Sequence, residues 1–270
     1  MTDVAGKVAV ITGGASGIGL ATGVELARRG ATGIVLADVN DPRLLQAVDE
    51  VERAGARAVA VHCDVTSDDE VDALLAAADD AFGRVDIVHA NAGVALLGPP
   101  HKVEMAEWQR VLDINVLGVV RCVRAFGERL LGQGHGHLVV TGSVAGMHAS
   151  GWDSAPYTTS KFAVLGLAET LALYFRPQGI PVTCVCPVLV TTNFGETARF
   201  SGAEPGWGTG VPNIPVVTPE EVAARLVDGI EADQFLVLTH EEHAELLASL
   251  RADINGALAR QIHELPPPTP

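Results

Sequence analysis

Lys7-Val8-Ala9-Val10-Ile11-Thr12-Gly13-Gly14-Ala15-Ser16-Gly17-Ile18-Gly19 joins a short apolar run to a glycine-rich turn, and residues 20–29 continue it with helical character. An apolar run of this length, bounded by turn residues, reads as a buried parallel strand. Glycines between a strand and a helix let backbone approach a pyrophosphate, whose charge the helix N-terminus favours. The spacing from Gly13 is G-x-x-x-G-x-G, which differs from the G-x-G-x-x-G dinucleotide fingerprint. The reading therefore rests on placement, after a first strand and before a helix.

The alternation repeats outward from this unit. Further strands are expected at 32–37, 56–62, 85–90, 137–141, 181–187 and 234–239. Helices are expected at about 42–54, 66–82, 103–131, from Tyr157 onward, at 219–232 and at 241–264. Seven strands separated by helices, with no break in composition, predict an α/β fold: a single doubly wound (Rossmann-type) seven-stranded parallel sheet flanked by helices, one domain over residues 1–270. Residues 188–215 break the periodicity with glycines, prolines and Phe194, Phe200 and Trp207, which suits a substrate lid. Residues 265–270 read as a Pro-rich tail.

Ligands of such sheets sit at the carboxyl ends of the strands. Gly13, Asp38, Asp64, Asn91, Ser143 and Pro187 all stand at those expected ends. Asp38 follows the second strand about twenty positions past the glycines, where a carboxylate can bind an adenosine ribose hydroxyl. No basic residue accompanies it, because Ser16, Val39 and Asn40 occupy the neighbouring positions. That pattern favours NAD over its 2′-phosphorylated form.

Tyr157-Thr158-Thr159-Ser160-Lys161 places a phenol and an ammonium four residues apart, on one face of a helix. A cation beside a phenol favours the phenolate and lowers its pKa, so that it can exchange a proton with an alcohol or carbonyl oxygen. Asn115 lies in an apolar helical segment, where its amide needs a partner.

The chain has 270 residues and a formal charge of −15, so a phosphate backbone or an anionic membrane surface would be repelled. Nucleic acid and membrane are not expected partners. The opening Met1-Thr2-Asp3-Val4 has no basic and apolar leader pattern, and a cytoplasmic setting is expected. Cys63, Cys122, Cys184 and Cys186 form no C-x-x-C pair and read as reduced core thiols, the last two on one strand face. The Gly134-His135-Gly136-His137 stretch lacks further ligands at metal spacing and reads as a turn, so no metal is expected.

In combination these motifs resemble the short-chain dehydrogenase/reductase family, from Lys7 to about Thr239. The resemblance rests on T-G-G-A-S-G-I-G, Asp64, N-A-G at 91–93, Asn115, Ser143 and Y-x-x-x-K at 157–161. It implies a sheet order of 3-2-1-4-5-6-7 and a tetramer or dimer built on the Asn115 and Tyr157 helices. It also implies roles: Tyr157 as acid/base, Lys161 lowering its pKa and holding the nicotinamide ribose, Ser143 binding the substrate oxygen, and Asn115 supporting a water relay. Gly13, Ser16, Gly17, Ile18 and Gly19 would form the pyrophosphate turn, with Asp64 and Val65 at the adenine. Asn91, Ala92 and Gly93 would floor the cleft, and Pro187, Thr191 and Thr192 would meet the nicotinamide side. One departure is Val188, where the family usually has glycine after proline.

The expected function is an NAD(H)-dependent oxidoreductase interconverting an apolar secondary alcohol and its ketone, with Leu96, Leu97, Val144, Trp152 and Val188 as pocket candidates. A reductase of carrier-bound 3-oxoacyl groups and a non-catalytic NAD(H) sensor are the rival readings. The negative charge counts against the first, and the complete Ser143, Tyr157, Lys161 and Asn115 set counts against the second.

Overall fold

The computed structural model describes residues 2–149, 151–191, 198–201, 216–240, 244–245, 248, 250 and 252–264. The strands are β1 (Val8–Thr12), β2 (Gly33–Asp38), β3 (Arg57–His62), β4 (Ile87–Ala90), β5 (Leu96–Leu97), β6 (His137–Thr141), β7 (Val182–Cys186), β8 (Arg199–Phe200) and β9 (Leu236–Leu238). Seven of them form one parallel sheet in the order β3-β2-β1-β4-β6-β7-β9. These are the seven expected strands, in the order the resemblance implied. The pair β5 and β8, which strand patterning missed, forms a separate two-stranded parallel sheet.

Helices cover both faces of the main sheet. They are α1 (Gly17–Arg28), α2 (Asp41–Ala54), α3 (Asp68–Phe82), α4 (Met105–Leu112), α5 (Gly118–Gln133), α6 (Ala155–Phe175), α7 (Pro219–Glu231) and α8 (Ile254–Glu264). Alternation along β1 shows how the two layers are divided. Ala9 and Ile11 pack with Leu26, Leu44 and Leu226 of α1, α2 and α7, whereas Val10 packs with Leu74, Phe126 and Val164 of α3, α5 and α6. All five β1 residues are buried, as a strand covered on both faces requires.

Local chemistry sets the helix ends. Asn40 and Ser67 accept the Arg43 and Glu70 amides at the starts of α2 and α3, and Thr218 and Glu221 form a reciprocal capping box on α7. Gly55 and Gly83 end α2 and α3 with φ of 114° and 70°, a region open to glycine.

The continuous helix expected over 103–131 is interrupted. A five-residue π-helical turn, Asp113–Leu117, separates α4 from α5, and Asn115 lies at its centre. The side chain of Asn115 leaves the helix to bond another segment, and the wider turn accommodates it. Most of the expected lid, residues 192–197 and 202–215, lies outside the described residues, as does the 265–270 tail.

Candidate active site

The turn between β1 and α1 is built on glycine geometry. Gly13 and Gly17 have φ of 64° and 55°. A Cβ at Gly19 would stand 2.3 Å from the Gly13 carbonyl oxygen, and one at Gly13 would stand 3.0 Å from the Ala92 Cα. Side chains are therefore excluded from the floor of the turn. Ser16 caps α1 without a side-chain hydrogen bond, and no acidic residue lies in the first turn, which leaves the helix start suited to an anion. These features fit the pyrophosphate of a dinucleotide.

Asp38 ends β2 beside this turn. Its carboxylate accepts the Ala15 amide at 3.2 Å and the Asn40 amide at 3.1 Å, which holds it against the glycine loop. A shallow cavity there is lined by Ala15, Ser16, Gly17 and Arg43. Arg43, remote in sequence, is thus a neighbour of the turn because α2 folds back over it. Asp64 accepts the Thr66 amide and hydroxyl at 2.9 and 2.8 Å, and Val65 beside it is buried against Gly118.

Asn91 ties three strands together. Its Nδ2 donates to the Thr12 and Gly13 carbonyls at 3.0 and 3.2 Å, and its Oδ1 accepts the Thr141 hydroxyl at 2.9 Å. The Thr12 hydroxyl in turn accepts the Asn91 and Ala92 amides at 3.0 and 3.2 Å. Thr12 and Thr141 were not singled out from sequence. Only a strand-end hydroxyl at adjacent sheet positions could have signalled them.

Asn115 is buried and fully engaged. Its Oδ1 accepts the Val94 amide at 2.8 Å, and its Nδ2 donates to the Val94 carbonyl at 3.0 Å and the Ser160 hydroxyl at 2.9 Å. Ser160 donates to the Tyr157 carbonyl at 2.6 Å. Asn115 therefore links the Asn91–Gly93 strand end to the Tyr157 helix, and a Cβ at Gly93 would lie 3.4 Å from its Oδ1.

Ser143 follows β6, and its Oγ accepts the Ala145 amide at 3.1 Å. It also hydrogen-bonds the Tyr157 phenol. Lys161, one turn further along α6, is buried and donates from Nζ to the Thr141 carbonyl at 2.8 Å. Burial pushes its pKa down to about 8. The Tyr157 phenol is also affected by burial, which raises its pKa above the ordinary value, while the Ser143 hydrogen bond opposes that rise. The Lys161 ammonium lies 5.7 Å from the ring centre and is turned toward the Thr141 carbonyl. A protonated phenol beside a serine hydroxyl can donate to a carbonyl oxygen and receive the proton back from an alcohol.

The pocket candidates divide. Leu96 and Val144 are buried in packing, whereas Leu97, Trp152 and Val188 are half-buried. Pro187 is buried at the end of β7, where its carbonyl accepts the Val144 amide at 3.0 Å. Thr191 is exposed and donates its amide to Val217, and Thr192 lies outside the described residues. Cys184 and Cys186 are buried and free, with sulfurs 3.8 Å apart beneath Gly142. No group of three metal-ligating side chains occurs among the described residues.

A doubly wound sheet with a dinucleotide turn and a Ser-Tyr-Lys-Asn cluster defines the dinucleotide-dependent oxidoreductase class. The family model described as short chain dehydrogenase matches residues 7–200, and the chain belongs to that family. A cis-4-hydroxycyclohexanecarboxylate dehydrogenase of Sinomonas cyclohexanicum is 38% identical over 92% of this chain and 90% of its own length. A 1-deoxy-11-beta-hydroxypentalenate dehydrogenase of Streptomyces exfoliatus is 34% identical over 98% of this chain and 92% of its own. The crystal structure of a short-chain dehydrogenase/reductase from Burkholderia phymatum in complex with NAD superposes with a TM-score of 0.85 at 31% identity, covering 100% of this chain and 99% of that one.

Proposed function

We propose that this oxidoreductase uses NAD(H) to interconvert an apolar secondary alcohol and its ketone. The observation that carries the reading is the meeting of Ser143, the Tyr157 phenol and Lys161 at the same strand ends as the Gly13 turn, joined through Thr141 and Asn91. NAD(H) held at this site would supply or accept the hydride. Tyr157 gives a proton to the substrate oxygen in reduction and takes it in oxidation. Ser143 holds that oxygen beside the phenol. Lys161 grips the nicotinamide ribose, and Asn115 keeps the Val94 strand end in register with α6. Gly13, Ser16, Gly17, Ile18 and Gly19 receive the pyrophosphate. Asp38 accepts from the adenosine ribose, Asp64 and Val65 border the adenine, and Asn91 to Gly93, Pro187 and Thr191 bound the nicotinamide side.

Half-buried Leu97, Trp152 and Val188 support an apolar substrate. The Sinomonas relative is named for a hydroxycyclohexanecarboxylate, which supports cyclic alcohols, with and without a carboxylate, as the first compounds to try. Exposed Leu117, Val120, Phe162, Leu173 and Tyr174 on and beside α5 and α6 support assembly of copies through those helices into a dimer or tetramer. No described helix is long and apolar enough to cross a membrane.

The test mixes protein, NAD and a panel of cyclic and acyclic secondary alcohols, and follows NADH absorbance. Turnover of free alcohols supports the reading. Activity confined to carrier-bound 3-oxoacyl groups, or NADH binding with no turnover at all, replaces it with one of the two rivals.

A further inference from the structure

His89 stands on β4 with no exposed surface, in a sheet position otherwise filled by apolar side chains. Burial pushes its pKa down to about 3, so the ring is neutral at ordinary pH. Its Nε2 lies 2.8 Å from the Thr141 Oγ1. The hydroxyl proton of Thr141 is already committed, because it points to Asn91 Oδ1 at 2.9 Å and that oxygen can only accept. His89 must therefore donate through Nε2–H, which leaves Nδ1 unprotonated, and Nδ1 has no hydrogen-bond partner among the described residues. The chemistry of the partners thus determines the tautomer.

The resulting chain has one direction. His89 donates to Thr141, Thr141 donates to Asn91, and Asn91 donates to the carbonyls of Thr12 and Gly13. The main-chain carbonyl of the same Thr141 accepts Lys161 Nζ at 2.8 Å. One residue at the end of β6 therefore faces the glycine turn with its hydroxyl and the lysine with its carbonyl. Fixing the hydroxyl on both sides limits rotation of that residue, and with it the direction of the carbonyl.

We propose that His89 and Thr141 are positioning residues that couple the geometry of the dinucleotide turn to that of Lys161. This rests on the reading of that turn as the pyrophosphate site and of Lys161 as the ribose-holding group. A buried histidine with an unsatisfied ring nitrogen is costly, and a valine would fill the space without that cost. The hydrogen bond it donates is what the chain gains in exchange.

The test compares Thr141→Val, Thr141→Ser, His89→Leu and His89→Gln, measuring NADH binding by fluorescence and folding by urea denaturation. Glutamine carries an N–H donor near the position of the imidazole Nε2, and serine keeps the hydroxyl. Thr141→Val and His89→Leu are expected to bind NADH about ten-fold more weakly, with Thr141→Ser and His89→Gln within about three-fold of the parent. A control core variant, Val139→Ala, loses stability but keeps its NADH affinity. Valine or leucine variants that bind NADH within two-fold of the parent overturn the proposal. So does equal weakening in the conservative variants, which alone decide the matter if the others do not fold. A parent protein that binds no NADH at all instead refutes the underlying reading of the site.

Discussion

Lys161 Nζ lies 5.7 Å from the centre of the Tyr157 ring, and its 2.8 Å hydrogen bond goes to the Thr141 carbonyl. The two residues share a helix face, as their spacing requires, yet the ammonium serves the neighbouring strand. The phenol is governed by burial and by Ser143. In Tyr157→Phe the ring remains, so folding and NADH affinity should persist. Turnover should drop by roughly 10²–10⁴-fold. Steady-state kinetics showing more than a tenth of parental activity would remove Tyr157 from the acid/base role.

Lys161 carries a pH signature in stability. Its pKa is pushed down to about 8 from an ordinary 10.5. Below pH 8 the folded and unfolded chains both hold the proton, and the burial cost is complete. Between pH 8 and 10.5 only the unfolded chain holds it, so this group favours folding more as pH rises. Parental stability relative to Lys161→Met should therefore increase across that window, by an amount on the order of 3 kcal/mol. Urea denaturation at pH 7 and pH 10 measures it. A difference that stays flat shows that the lysine keeps its ordinary pKa. The same variant should also lower both turnover and NADH affinity.

Asp38 should set the choice of cofactor. A 2′-phosphate placed where the ribose hydroxyls meet this carboxylate would bring two anions into contact. We expect a preference for NAD of at least about 10²-fold in kcat/KM, equal to roughly 2.7 kcal/mol. Since Arg43 lines the same cavity as Ser16 and Gly17, Asp38→Ala alone should bring NADP within about ten-fold of NAD. Adding Val39→Arg should reverse the preference. Parental kinetics that favour NADP, or a double variant still selective for NAD, assign the discrimination elsewhere.

Asn115→Ala would orphan the half-buried Val94 amide and carbonyl together. The expected loss is about 2–4 kcal/mol, since each unsatisfied group costs on the order of 1–3 kcal/mol. Denaturant midpoints give the value. A loss below about 1 kcal/mol means that water replaces the amide, and the π-helical turn is then not maintained by this contact.

The seven strands of the main sheet and the glycine turn were legible in the sequence because their signals are local. Val8–Ile11 is apolar without interruption, as suits a strand covered on both faces. The Gly13 and Gly17 positions need positive φ, and glycine provides it without strain. Asp38, Asn91 and Ser143 were legible as strand ends, and Tyr157 with Lys161 by helical spacing.

What tertiary structure alone decided are relations between segments distant in sequence. β5 and β8 are two residues each and too short to show alternation, so each is a strand only because the other lies beside it. The helix over 103–131 carries a continuous helical pattern, and its π-helical turn exists because Asn115 reaches Val94 across the fold. The hydrogen bond between the Tyr157 phenol and Ser143 depends on how α6 packs beside the end of β6, which spacing along α6 does not encode. The His89–Thr141–Asn91 chain was hidden for the same reason: its members are neighbours only through the pairing of β4 with β6. Periodicity and turn chemistry act within a few residues, whereas desolvation and hydrogen-bond partnership are set by whichever segments the completed sheet brings together.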